Sequence, residues 1–239
     1  MNSTNSLVKK LKSELKNLAS EEDARQLQRF FKTAKGEYAE GDRFLGIRVP
    51  ILRDVAKKYQ QMSLEDAALL LCSGFHEERM IALILLVSRF KKASPSDKES
   101  IYKIYLSHTK YINNWDLVDT SAEHIVGAYL FNLDRKPLYV LAESLDLWER
   151  RIAILSTFHF IRQRQFADTL AISEILLHDE HDLIHKAVGW MLREVGKRDL
   201  AEEESFLKKH CRAMPRTMLR YAIEKFPEEK RRRYLEGEV

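Results

Sequence analysis

Met80-Ile81-Ala82-Leu83-Ile84-Leu85-Leu86-Val87 is the stretch on which the fold turns. Met80, Leu83, Ile84 and Val87 recur at three- and four-residue spacing, the stripe of a helix that buries a face. The run is far too short to span a bilayer, which takes about 20 apolar residues. The same period appears on both sides of it. Ala67, Leu70 and Leu71 follow Ser63-Leu64-Glu65-Asp66, a serine N-cap with its acid three residues on. Ile152, Leu155, Phe158 and Ile161 form a third stripe. No stretch alternates in the manner of a strand, and 8 Gly and 5 Pro are few turn residues for a β-rich chain of 239. The chain reads as all-α.

An alanine recurs in these helices in a similar apolar setting: Ile81-Ala82-Leu83, Ser121-Ala122-Glu123, Ile152-Ala153-Ile154, Lys186-Ala187-Val188 and Tyr221-Ala222-Ile223. The gaps of 40, 31, 34 and 35 residues each leave room for two helices and two turns. A small residue there lets two helix axes approach closely. The series predicts a HEAT-like helical-repeat solenoid over residues 1–239, one continuous domain whose alanine-bearing helices line a common concave face.

Composition excludes several classes. Hydrophobic residues at 45% and charged residues at 32% suit a soluble globular chain rather than a disordered one. The N-terminal residues alternate Ser, Asn and Lys with single apolar residues, without the apolar stretch of a signal peptide, so a cytoplasmic location is expected. Cys72 and Cys211 stand far apart and read as reduced core thiols. Net charge is +4, and residues 208–233 hold ten Lys/Arg against three Glu, ending in Lys230-Arg231-Arg232-Arg233. That run reads as a solvated helix face or as a source of phosphate attraction. His178, His181 and His185 cluster without an acid or thiol at ligand spacing, so no metal site is expected. Gly36 and Gly41 flank Glu37 to Glu40 without forming a phosphate loop and read as a mobile connection.

Three of the alanine helices carry unusual groups. Asn113-Asn114-Trp115-Asp116-Leu117-Val118-Asp119 places Trp115 and Asp119 four apart, on one helical face. Trp148-Glu149-Arg150-Arg151-Ile152-Ala153 sets Arg151 two residues before its alanine. His185-Lys186-Ala187-Val188-Gly189-Trp190-Met191-Leu192-Arg193 sets Trp190 three residues after its own. Each tryptophan alone is at home in a core, and Asp119 alone could be a surface acid or a partner of Arg151. Their coincidence in successive units points instead to a carboxylate flanked by two indoles. Such a group suits the cleavage of an N-glycosidic bond, which leaves positive charge on the sugar. An ionised Asp about 4 Å away contributes roughly 4 kcal/mol at an effective dielectric near 20. If made only in the transition state, that is about three powers of ten in rate. An indole face adds about 0.5–2 kcal/mol by cation–π attraction.

With Phe44-Leu45-Gly46-Ile47 followed by Pro50, Trp115-Asp116-x-Val118-Asp119, Arg151-x-Ala153-Ile154-Leu155 and Lys186-Ala187-x-Gly189-Trp190-x-Leu192-Arg193 in this order, the chain resembles the AlkD family of alkylpurine DNA glycosylases from about Arg29 to Phe226. The resemblance implies a HEAT-like fold and removal of N3- and N7-alkylated purines from double-stranded DNA. It implies no metal and no cofactor, and the damaged base need not be flipped into a pocket. Asp119 would be the catalytic carboxylate, with Trp115 and Trp190 contacting the deoxyribose of the lesion. Arg151 would hold the DNA backbone beside the lesion, with Lys186 and Arg193 as further phosphate contacts. Phe30 stands where the best-known members carry a tyrosine, keeping the aromatic face and losing a hydroxyl, and Asn114 where they can have a second tryptophan. A monomer acting without a membrane is expected. A DNA-binding relative that has lost excision is the alternative, and a protein–protein scaffold the second.

Overall fold

Several of the helices begin where the sequence supplies a capping side chain. The computed structural model describes residues 4–239, with side chains from residue 7 onward, and among these there is no β-strand, only an isolated bridge between Arg43 and Phe75. Contacts divide the chain into two compact units, Met1–Ser121 and Ala122–Val239.

The first unit holds α1 (Thr4–Leu18), α2 (Glu21–Phe30), α3 (Val49–Lys58), α4 (Leu64–Leu71), α5 (His76–Phe90), α6 (Pro95–Ser107) and most of α7 (Trp115–Ala122), at whose end the second unit begins. Ser20, Ser63 and Ser94 cap α2, α4 and α6, each accepting the amide N–H three residues on. Helix α5 packs against α3, α4 and α6. The expected stripe of Met80 and Leu83 is fully buried, but so are Ile81 and Ala82 on its other side. Of the stripe only Ile84 stays half-buried, and a helix covered on most sides has little use for a polar face, which explains the unbroken apolar run. Cys72 departs from its expected core place. It is the residue after α4, one step past the buried Leu71, and is exposed, whereas Cys211 is buried.

Phe44-Leu45-Gly46-Ile47 lies in an irregular connection before α3. Gly46 has φ +84°, and a Cβ there would overlap the carbonyl of Ser20. The buried Glu77 of α5 accepts the amide N–H groups of Leu45 and Gly46 at 2.8 Å and of Ile47 at 3.2 Å. The segment Gly36–Gly41 is likewise held by its own acids: Glu37 accepts the N–H of Ala34, and Glu40 that of Gly36.

The second unit continues α7 through a π turn, Glu123–Gly127, into α8 (Ala128–Leu130). Then come α9 (Lys136–Ala142), α10 (Leu147–Ser156), α11 (Phe158–Arg162), α12 (Ala167–Ile175), α13 (Asp182–Gly196), α14 (Leu200–His210), α15 (Arg216–Ala222) and α16 (Glu228–Glu236). Helix α10 packs on α13 and α13 on α15, while α9 covers α10 and both α12 and α14 cover α13. These neighbours are the alanine helices: Ala153, Ala187 and Ala222 are all buried. Glycines tighten the contacts further. A Cβ on Gly189 would meet the Met218 carbonyl of α15, and one on Gly127 would meet the Ser156 carbonyl of α10. The third expected stripe is interrupted at Thr157, whose hydroxyl donates to the Ile154 carbonyl at 2.7 Å. Phe158 therefore begins a new helix and is half-buried, unlike Ile152 and Ile161.

Candidate nucleic-acid interface

Helix α7 turns Leu117, Val118, Ser121 and Ala122 into the protein and leaves Trp115, Asp116, Asp119 and Thr120 half-buried. The spacing of Trp115 and Asp119 thus does what the sequence suggested: both lie on the face that solvent reaches. Behind this face Tyr105 is fully buried and its hydroxyl meets Ser121 Oγ at 2.9 Å. Burial raises the Tyr105 pKa, and the negative charge of Asp119 adds to the rise.

Trp115 is held by aromatic neighbours. Its Nε1–H donates to the Tyr38 hydroxyl at 3.2 Å. Phe30 meets it edge-on at 5.9 Å between centroids, and Phe31 lies at 5.2 Å. Phe30 is 63% exposed. Asn114 behaves otherwise. It is fully buried, and neither amide atom has a partner among the described residues.

Beneath Trp115 runs a chain of buried charges that the sequence reading did not single out. Arg79 donates to both oxygens of Asp42 at 2.8 and 2.7 Å, and Asp42 lies 3.3 Å from His76 Nδ1. His76 Nε2 then meets Asp116 Oδ2 at 2.9 Å, in the first turn of α7. Burial works against a charge on His76, but Asp116 and Asp42 outweigh it and raise its pKa to about 9. Burial also opposes the charge on Asp42, and His76 with Arg79 nevertheless holds it below the usual carboxylate range. The cationic imidazole stacks on Phe44 at 4.5 Å, so it also braces the aromatic group. Asp116 was within the motif quoted from the sequence. Its partner His76 stands 40 residues away, which no local pattern shows.

In the second unit, Lys186, Trp190 and Arg193 fall at i, i+4 and i+7 on α13 and share its partly exposed stripe, while Ala187, Val188, Met191 and Leu192 are buried. Lys186 bonds Asp182 at 2.6 Å and is 40% exposed. Arg193 pairs with Glu224. Trp190 meets Phe158 edge-on at 5.8 Å, and Arg162 lies 4.5 Å from the centre of the same phenyl ring. Phe158 thus stands to Trp190 as Phe30 stands to Trp115. Arg151 is placed differently from its neighbours: it is 5% exposed and donates to the Leu183 carbonyl at 2.5 Å. The histidine cluster serves the loop before α13. His181 caps that helix by accepting the Leu183 N–H, and His185 bonds the Asp179 carbonyl. Much of the basic C-terminal run is spent on acids, with Lys209 on Glu174, Lys230 on Glu204 and Arg231 on Glu228.

Comparison with known proteins adds what geometry cannot. A family model described as DNA alkylation repair enzyme matches residues 11–226. No curated relative matches the sequence. Among solved structures, a predicted DNA alkylation repair enzyme from Enterococcus faecalis superposes with a TM-score of 0.68 at 16% identity, over 88% of this chain and 97% of that one. The protein smu.31 from Streptococcus mutans superposes with a TM-score of 0.51 at 16% identity, over 93% of this chain and 100% of that one. At such identities the superpositions speak for the fold alone.

Proposed function

Because the chain belongs to the DNA alkylation repair enzyme family, we propose that it is a monofunctional DNA glycosylase that hydrolyses the bond between deoxyribose and an N3- or N7-alkylated purine in duplex DNA. The observation that carries the reading is the pairing of Trp115 and Asp119 on the solvent-reached face of α7, with the exposed Phe30 against Trp115.

The chemistry follows from charge. An alkylated purine is already cationic, so it leaves as a neutral base and needs no proton from a general acid. Positive charge then gathers on the sugar. Asp119, if ionised about 4 Å from that charge, stabilises it by roughly 4 kcal/mol. The indole of Trp115 presents an electron-rich face to the same cation. Trp190 is our further assignment for aromatic contact with the deoxyribose. Asp119 also serves to orient the attacking water. Lys186 and Arg193 would bind phosphates, and Arg151 would hold the backbone beside the lesion. The family match supports the repair reading. The roles of these residues are our assignment.

The test is release of 7-methylguanine and 3-methyladenine from alkylated duplex DNA by the purified protein. Asp119→Asn keeps the size of the side chain and removes its charge. It should lower release at least about tenfold and by up to about a thousandfold, the full electrostatic contribution, with DNA binding kept. Binding without release by the unaltered protein would overturn the glycosylase reading in favour of a DNA-binding relative.

A further inference from the structure

Helix α2 ends in a backbone conformation that its sequence does not favour. The Thr33 N–H donates to the Gln28 carbonyl at 3.2 Å, closing the helix through Lys32, which is held at φ +55°. Glycine is the usual residue at such a position, because a side chain is strained in the left-handed region. Among the described residues one other non-glycine shares the conformation, Arg164 after α11. Arg164 has an evident use: its guanidinium donates to the Arg198 carbonyl at 3.0 Å and lies 3.7 Å from Asp199. Lys32 has no such use. It is exposed, and neither it nor Arg29 or Lys35 has an ion pair or a side-chain hydrogen bond among the described residues. Beside these cations lies an open groove of about 500 Å³, lined by Arg25, Gln28, Arg29, Thr33, Ala34 and Glu37. The Gln28 amide and the Thr33 hydroxyl are likewise without partners among the described residues. Arg25 reaches Glu21 only at 3.9 Å. Glu37, the one acid of the lining, turns a carboxylate oxygen onto the Ala34 N–H at 2.9 Å.

We propose that the end of α2 is a phosphodiester site that seats the backbone of duplex DNA on the first unit. Three features choose that ligand. The unpaired cations outnumber the single acid, so the groove attracts an anion. Guanidinium, amide and hydroxyl groups together are the donors that phosphate oxygens accept from in protein–DNA contacts. The groove is open and polar, which suits a backbone lying across the surface rather than an enclosed apolar molecule. The strain at Lys32 then has a reason. It is stored where the ammonium meets a ligand, as strained backbone elsewhere gathers at binding sites. Phe30 stands between Arg29 and Lys32 and meets Trp115 edge-on, so a strand held here is held beside that aromatic pair. That the anion belongs to DNA rests on the repair reading. The preference for phosphate does not.

The experiment measures binding of the full chain to an undamaged duplex over a range of salt, with Arg29→Gln and Lys32→Gly as variants. Lys57→Ala on α3, where the lysine is paired with Asp54 at 2.7 Å, is the control. Each of the first two should flatten the slope of log K against log salt by about one and weaken binding about five- to tenfold near 0.1 M salt. Lys57→Ala should leave the slope as it was. Lys32→Gly carries a second readout. Relief of the left-handed strain should keep or raise its melting temperature, by up to about 4 °C, while binding falls. A lysine that serves the fold alone would do the opposite, lowering the melting temperature and sparing the binding. Unchanged slopes in both variants, with the unaltered chain still binding, overturn the site and leave the DNA reading standing. A change as large for Lys57→Ala also overturns it, since the attraction would then be general. If the unaltered chain binds no duplex at any salt, the DNA reading falls, and titration with inorganic phosphate decides the site. Phosphate binding that Arg29→Gln abolishes upholds it, and no phosphate binding overturns it.

Discussion

His76 and Glu203 are buried side chains that hold protons their ordinary chemistry would surrender near neutral pH. His76 is raised to about 9 because two carboxylates outweigh its burial. Glu203 is raised to about 8 chiefly by burial, with Glu204 adding repulsion. Both folded pKa values lie above the unfolded ones, so both contributions to stability weaken as pH rises. For His76 the contribution is complete below about 6.5 and is lost through about 9. For Glu203 it is complete below about 4.5 and is lost through about 8. Glu203→Gln cannot ionise, so its melting temperature should rise relative to the parent between pH 5 and pH 9, by about 2–4 °C for each kcal/mol in a chain this long. A gap that stays constant with pH would show that Glu203 is not the titrating group. His76→Gln should behave in the opposite sense. It melts lower at pH 7, where Asp42 and Asp116 lose their shared cation, and the deficit shrinks above pH 9.

Glu77 shows how an element is made from a contact far along the chain. The irregular connection at residues 44–47 offers three backbone N–H groups with no helix or strand to receive them, and one carboxylate of α5 accepts all three. Removing it leaves buried donors unpaired at about 1–3 kcal/mol each. Glu77→Ala should therefore cost about 3 kcal/mol or more, measured by urea unfolding, whereas Glu65→Ala on the exposed side of α4 should fall within about 0.5 kcal/mol. Equal effects would refute the assignment. Elements of this kind mark the limit of sequence reading. Ser63 with Asp66 announced the start of α4 because the cap and the N–H it accepts are three residues apart. Gly46 was visible only as part of a motif, because its reason, the close carbonyl of Ser20 and the carboxylate of Glu77, is a tertiary one. The break at Thr157 was missed for a related reason: the apolar period continues across it, and only the side-chain bond to Ile154 shows where one helix ends.

For the whole molecule, the question is which cations meet phosphate. Lys186 is 40% exposed and paired with a neighbouring aspartate on its own helix, a bond that a phosphate can replace at little cost. Lys186→Ala should weaken DNA binding at every sequence and reduce the slope of log K against log salt by about one. An unchanged slope would remove Lys186 from the interface. Arg151 is buried on the Leu183 carbonyl, so Arg151→Ala should lower the melting temperature as well as binding. A variant that lost binding and kept its stability would show that Arg151 acts on the DNA backbone alone.

Helix content, the Ser63 cap, the buried alanines and the face shared by Trp115 and Asp119 were all legible in the order of residues, because each depends on neighbours within one or two turns. Periodicity cannot say how deeply a residue lies or what faces it across a contact. Packing alone buried Arg151 and Asn114 and exposed Cys72. It joined Arg79, Asp42, His76 and Asp116 into one line of charge. Local pattern sets the direction in which a side chain leaves its helix. What it meets there depends on segments many residues distant, brought close when the apolar faces were removed from water.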